Sequence, residues 1–220
     1  MRLKQTLHIY PVFQPIVNKQ LSVIGYESFI RGKDSKKALA MLLACSPKDA
    51  KRIQEIDLQC KIAALGKYTS NLPLFLNSHP FSSDPLPEYL PFNNQFPLVI
   101  ELTEQAALRD EQLTLSHIAR LSDAGVQFAI DDFGFGNMSL PFILRLGPTY
   151  IKLAKEVVHA CEDDSVLKCI EKLMQPFQDM GIQVIAEGVE SESHFQRMQR
   201  IADAFQGYWI SEPKTSFFLS

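Results

Sequence analysis

Eight short, strand-length apolar runs punctuate this chain at near-regular spacing, and longer amphipathic stretches separate most of them. The runs are HIYPVFQPIV, LSVIGYE, LPLFLN, FPLVIEL, VQFAID, TYIKLA, IQVIAE and DAFQGYWI. Each is rich in Val, Ile, Phe or Tyr, the residues that suit a pleated surface. Several are apolar almost throughout, which fits strands covered on both faces. The segments between them carry helix punctuation. In residues 46–66, Ser46 reads as an N-cap, Pro47 takes the first helical position and Gly66 closes the end. Residues 109–125 stop at Gly125 and residues 164–181 at Gly181, with a bend expected at Pro176. Residues 191–202 form the shortest helical stretch. Strand and helix in alternation imply βα units and a parallel sheet. About eight strands in 220 residues favour a compact (β/α)8 barrel in one domain spanning residues 1–220.

Composition narrows the function. With 46% hydrophobic and 21% charged residues, the chain has enough apolar surface for a core, which excludes disorder over most of its length. A net charge of −3 is a poor footprint for a nucleic-acid polymer. No run of 18 apolar residues exists, so membrane insertion is not expected. The start lacks the uninterrupted apolar stretch of a signal peptide. Cys45, Cys60, Cys161 and Cys169 are scattered without a C-x-x-C pair, as in reduced cytoplasmic proteins.

The informative pattern is what closes each run. Glu27, Asn77, Glu101, Asp131 with Asp132, Lys152, Glu187 and Gln206 follow one another along the chain. One polar residue after a strand means little. Seven runs in succession mean more, because the C-terminal strand ends of a βα barrel converge on one mouth. Five carboxylates would then face a single ammonium. Two carboxylates about 4 Å apart repel by roughly 4 kcal/mol at an effective dielectric near 20. Such a cluster must take up protons or cations. An oxygen-only donor set suits Mg²⁺, Mn²⁺ or Ca²⁺ rather than zinc. Two such ions side by side are a common device for cleaving phosphate esters. A barrel that abstracts a proton beside a carboxylate, with Lys152 as base, fits the doubled Asp and the Asn less well. No dinucleotide fingerprint, kinase motif set or nucleophile elbow accompanies these residues.

The same residues with their neighbours resemble the EAL-domain family of bacterial cyclic di-GMP phosphodiesterases. FQPIV, GYESFIR, LFLN, VIELTE, IDDFGFGNMSL, IKLA, VIAEGVES and FQGYWISEP match its motifs in order, from about Phe13 to Pro213. The resemblance implies a modified (β/α)8 barrel whose first strand runs antiparallel to the rest. It implies one metal held by Glu27, Asn77, Glu101 and Asp131, and a second held by Asp131, Asp132 and Glu187. Catalysis would rest on Lys152, Glu187 and Asp131, with Lys152 holding the attacking water. Gln14, Arg31 and Gln206 would contact the dinucleotide, and Glu104 would brace the loop after Asp132. The implied reaction is hydrolysis to linear pGpG with two Mg²⁺ or Mn²⁺ ions, in the cytoplasm and in a homodimer. Several positions depart from the pattern. E-A-L is E-S-F here, through Ser28 and Phe29; Phe135, Asn137 and Met138 alter the loop after D-D-F-G; and Ala154 replaces a carboxylate. These departures support the alternative, a module that binds cyclic di-GMP or a protein partner without cutting.

Overall fold

The structure, a computed structural model, describes residues 9–32, 50–78, 95–102, 111–135 and 139–217. Ser46, Glu104, Asn137 and Met138, and most of the expected loop at 89–97, lie outside the described residues. Eight strands close into a barrel in sequence order: β1 (Ile9–Asn18), β2 (Val23–Gly32), β3 (Leu74–Ser78), β4 (Leu98–Leu102), β5 (Gln127–Phe133), β6 (Tyr150–Leu153), β7 (Gln183–Ala186) and β8 (Ala204–Phe205). Strands β2 to β8 pair in parallel, whereas β1 is antiparallel to both β2 and β8. The barrel and its reversed first strand are as expected.

Six helices accompany the strands among the described residues: α1 (Ala50–Leu65), α2 (Glu111–Asp123), α3 (Leu140–Leu146), α4 (Lys155–Ala160), α5 (Asp164–Asp179) and α6 (Glu192–Met198). The glycine stops hold, since Gly125 and Gly181 both adopt φ +84° just past a helix. Pro176 does not end α5. It stands in the last turn, and the helix runs on to Asp179. Helices α3 and α4 are additions to the sequence reading. Ser139 caps α3, its hydroxyl accepting from Phe142 N at 3.3 Å, and Gly147 closes it at φ 58°.

Two strands differ most in length from their sequence runs. β2 continues five residues past Glu27, because the antiparallel β1 pairs with it as far as Ile9↔Gly32. β8 is cut to two residues. A Cβ on Gly207 would lie 2.1 Å from the Val189 carbonyl oxygen, so backbone there packs directly on backbone and the chain turns away.

Inside the barrel, Ile16, Phe75, Val99, Ala129, Tyr150, Ile185 and Ala204 form one buried apolar cluster. Each comes from a different strand, with β2 contributing Gly25, whose missing side chain leaves room for the Phe75 ring. A larger cluster, including Leu74, Leu98, Ile100, Ile130, Ile151 and Val184, packs the outer strand faces. Strand residues alternate between these two sides, as the period of two requires.

Candidate functional site

Two residues beyond the interior apolar cluster, each parallel strand turns polar. Phe75 is followed by Asn77, Val99 by Glu101, Ala129 by Asp131, Tyr150 by Lys152, Ile185 by Glu187 and Ala204 by Gln206. Gly25 precedes Glu27 by the same step. β1 runs the other way, so its polar residue, Gln14, comes two residues before Ile16, and it faces Glu27 in the register. One rung of side chains is dry and the next is charged.

Lys152 stands at the centre of the charged rung, 1% exposed. Its Nζ lies 2.5 Å from Glu101 Oε1, 2.5 Å from Glu187 Oε1, 3.0 Å from Glu27 Oε2 and 3.1 Å from Asp131 Oδ1. Burial disfavours its charge, but Asp131, Glu101, Glu187 and Glu27 together outweigh burial and raise the ammonium pKa well above the ordinary lysine value. The acids are raised as well, which for a carboxyl disfavours the charged form. Burial and the neighbouring charge of Glu27 raise Glu101 well above the usual carboxylate range, against the pull of Lys152. Glu187 is pushed up to about 8, first by burial, with Asp131 and Glu27 adding and Lys152 opposing. Asp132 is also raised, by burial and by Asp131.

The amides close the ring. Asn77 Nδ2 donates to Glu27 Oε1 at 2.7 Å, and Gln206 Nε2 donates to Glu27 Oε2 at 2.8 Å and to Gln14 Oε1 at 3.0 Å. Gln14 Nε2 in turn donates to the Ser211 carbonyl at 2.9 Å.

Adjacent residues in a regular strand point to opposite faces, yet Asp131 and Asp132 both border the cleft. The β5–β6 register slips between Ile130 and Phe133, and Asp132 adopts φ 53°, a left-handed conformation that is strained for a non-glycine residue. This local irregularity turns both carboxylates inward. Gly134 follows at φ +94°, where an added Cβ would come within 2.6 Å of Val157. Asp131, Asp132 and Glu187 each offer a ligand atom within 4.8 Å of the other two. Glu101 Oε2 is buried with no hydrogen-bond partner among the described residues. A cluster of oxygen donors and an orphaned carboxylate oxygen suit a hard divalent cation.

The cleft holds about 440 Å³, within the range of small-molecule sites. Gln14, Glu27, Asn77, Asp131, Asp132, Lys152, Glu187 and Gln206 all line it, and Glu101 lies beneath, 1% exposed. Arg31 does not line it. Its guanidinium carbon sits over the Phe29 ring, 5.8 Å from the centroid, and Phe29 borders the cleft. Sequence reasoning missed the outer rim: Lys155, Glu156, Gly188, Glu190 and Tyr208. Lys155 and Glu190 pair at 2.5 Å across it, each three residues after a site residue, Lys152 and Glu187, which was the available signal.

These features define a βα barrel with one reversed strand, whose mouth carries a carboxylate cluster of the kind that holds divalent cations. The EAL domain family model matches residues 2–213, and the chain belongs to that family. A probable cyclic di-GMP phosphodiesterase of Escherichia coli K12, PdeN, is 28% identical over 231 residues, covering 93% of this chain and 43% of that protein. The cyclic di-GMP phosphodiesterase PdeB of Shewanella oneidensis is 30% identical over 52% of this chain and 14% of its own length. The chain thus spans less than half the length of these curated relatives. Among solved structures, a manganese/cy-diGMP complex of Klebsiella pneumoniae BlrP1 superposes with a TM-score of 0.80 at 24% identity, covering 97% of this chain and 57% of that one. The c-di-GMP-bound form of a standalone EAL protein from Vibrio cholerae O395 gives a TM-score of 0.75 at 24% identity, covering 96% and 94%.

Proposed function

We propose that this domain hydrolyses cyclic di-GMP to linear pGpG with the aid of divalent cations. The observation that carries the proposal is the convergence of Glu27, Asn77, Glu101, Asp131, Asp132 and Glu187 around Lys152 at one cleft. Glu27, Asn77, Glu101 and Asp131 would hold one Mg²⁺ or Mn²⁺, and Asp131, Asp132 and Glu187 a second. Bound there, the ions would neutralise the phosphodiester and lower the pKa of water. Lys152 Nζ, held protonated by its neighbours, offers N–H donors to orient the attacking water. Water oxygen bonds to phosphorus, the P–O3′ bond breaks, and the 3′ oxygen leaves with a proton. Gln14 and Gln206 present amides to the ligand from the β1 and β8 side. Gln206 Oε1 is buried and has no partner among the described residues. Arg31, over the Phe29 ring, would contact the dinucleotide, and the family resemblance gives Glu104 the role of bracing the loop after Asp132.

The test is turnover of cyclic di-GMP with Mn²⁺ and with Mg²⁺, following pGpG by chromatography. Glu27→Gln, which takes a charge from both the cation site and Lys152, is expected to lower the rate at least a hundredfold. Retained activity in that variant would overturn the assignment.

A second reading, binding without cutting, is favoured by Phe29, which borders the cleft where the family carries a branched apolar residue. Ala154 also leaves the start of α4 without a side-chain cap. Residues 1–220 are proposed to form one domain. Phe135, Leu140 and Leu144 are 66%, 53% and 49% exposed on the loop after Asp132 and on α3, which supports a homodimer. Among the described residues no helix is long and apolar enough to cross a membrane. The cytoplasm is the proposed compartment, in keeping with the free thiols of Cys60, Cys161 and Cys169.

A further inference from the structure

Gln14 and Glu27 face each other on the inner side of β1 and β2, in the charged rung, while their neighbours Phe13 and Tyr26 belong to the outer cluster. Residues 211–217, which follow β8, touch both sides. On the inner side, Gln14 Nε2 donates to the Ser211 carbonyl at 2.9 Å. Along β1, Phe13 N donates to Lys214 O at 2.7 Å, and Lys214 N donates to Phe13 O at 2.9 Å. On the outer side, the Phe217 ring centroid lies 4.6 Å from that of Phe13, 5.3 Å from Tyr26 and 5.2 Å from Tyr68. The Phe217 carbonyl accepts from the Tyr26 hydroxyl. Phe217 is the one large apolar side chain in SEPKTSF, so its burial in that aromatic box anchors an otherwise polar segment.

We infer that Phe217 is a positioning residue for Gln14: by anchoring residues 211–217 around β1, it fixes the orientation in which the Gln14 amide meets the ligand. This rests on the function proposed above. A glutamine amide has two N–H donors and one oxygen. Ser211 takes one donor of Gln14, and Gln206 Nε2 donates to its oxygen at 3.0 Å, which leaves the second N–H to offer to a ligand. Without the Ser211 carbonyl the amide can turn over and present its oxygen instead, and a free rotamer must be ordered again when the ligand binds. The Ser211 carbonyl stays in place because Lys214 is paired to Phe13 and the Phe217 ring is seated behind the same strand. Phe217 thus acts on the cleft from the outer face of the barrel, without touching the ligand.

The experiment is a double-mutant cycle on turnover of cyclic di-GMP with Mn²⁺, with Phe217→Ala made in wild type and in Gln14→Ala. In wild type, Phe217→Ala is expected to raise KM about fivefold with kcat little changed, as for lost binding that is uniform between substrate and transition state. In Gln14→Ala the same change should have no further effect, because the group it positions is gone. Phe217→Tyr, which keeps the ring, should restore KM. Phe217→Leu should show the same pattern in smaller measure, and it carries the cycle if the alanine variant does not fold. An equal loss in both backgrounds overturns the inference and makes Phe217 a packing residue only. So does an unchanged KM, or a fall in kcat alone. Calorimetric titration with cyclic di-GMP and Ca²⁺ separates this from the proposed reaction. If wild type binds but makes no pGpG, the reaction fails. The same non-additive pattern in affinity then still upholds the positioning role, and an additive one overturns it. If wild type neither binds nor cuts, both are overturned.

Discussion

Two layers of the barrel interior sit one rung apart on the same strands, and they obey opposite rules. The inner layer, from Ile16 to Ala204, is dry and buried apart from a slightly exposed Tyr150. The rung above it places five carboxylates around one ammonium. Both layers point toward the barrel axis, so direction does not separate them. What separates them is closeness to the mouth, where a polar ligand can complete the electrostatics. The dry layer stabilises the fold as it stands. The charged layer crowds like charges away from water, and burial with that repulsion raises Glu101 and Glu187 above the usual carboxylate range.

The contrast can be broken most forcefully at Lys152. Replacing it with Met leaves the carboxylates without an internal counter-charge, and the metal-free protein should lose about 3–5 kcal/mol in chemical denaturation. Added Mn²⁺ should recover much of that loss.

A pH series sharpens the comparison next. Glu187 has its folded pKa raised from 4.5 to about 8, and Glu101 and Asp132 are raised too. Between these values the folded state holds more protons than the unfolded chain. Stability from this rung is therefore complete below about pH 4.5 and is lost as pH rises through about 8. Each uncompensated proton changes stability by about 1.4 kcal/mol per pH unit. The metal-free melting temperature should fall from pH 5 to pH 8, and saturating Mn²⁺ should flatten the slope. A slope that Mn²⁺ leaves unaltered would argue that the cations bind elsewhere.

Glu101→Gln should trade the two properties against each other. It removes a buried charge of high pKa, so the metal-free protein should gain about 1 kcal/mol at pH 8 while turnover falls. The smallest effect is expected in the dry layer. Ile185→Val should cost about 1 kcal/mol, with a loss independent of pH and Mn²⁺. A pH-dependent loss there would mean that the two layers are not separate.

Much of this architecture was legible in the sequence because the two-residue step is regular. Phe75-Leu76-Asn77, Val99-Ile100-Glu101 and Ile185-Ala186-Glu187 each read as apolar, then covered, then polar. The barrel, its reversed strand and the polar mouth all follow from that order together with the family resemblance. What failed depended on partners distant in sequence. The reach of β2 past Glu27 is set by β1, and the cut of β8 is set by the Val189 backbone meeting Gly207. The inward position of Asp132 was anticipated from the doubled Asp and the family resemblance, but the register slip against β6 that produces it was not. Helix α3 is different, because Ser139, Pro141 and Gly147 were a start and stop signal in plain view. Helix α4 had no such signal, since Ala154 cannot cap it.

The seam that closes the barrel is narrow. Among the described residues, Val17↔Phe205 and Asn18↔Ala204 alone pair β8 with β1, with the Phe13↔Lys214 bridge as a latch beyond them. These contacts tie residues nearly two hundred positions apart, and loop closure over such a length is entropically costly. The seam is thus expected to form late in folding and to open first in the native state. Gln206 and Gln14 face each other across it. A ligand bridging both amides would stitch the first strand to the last, and amide hydrogens along β1 and β8 would then exchange more slowly than in the free protein.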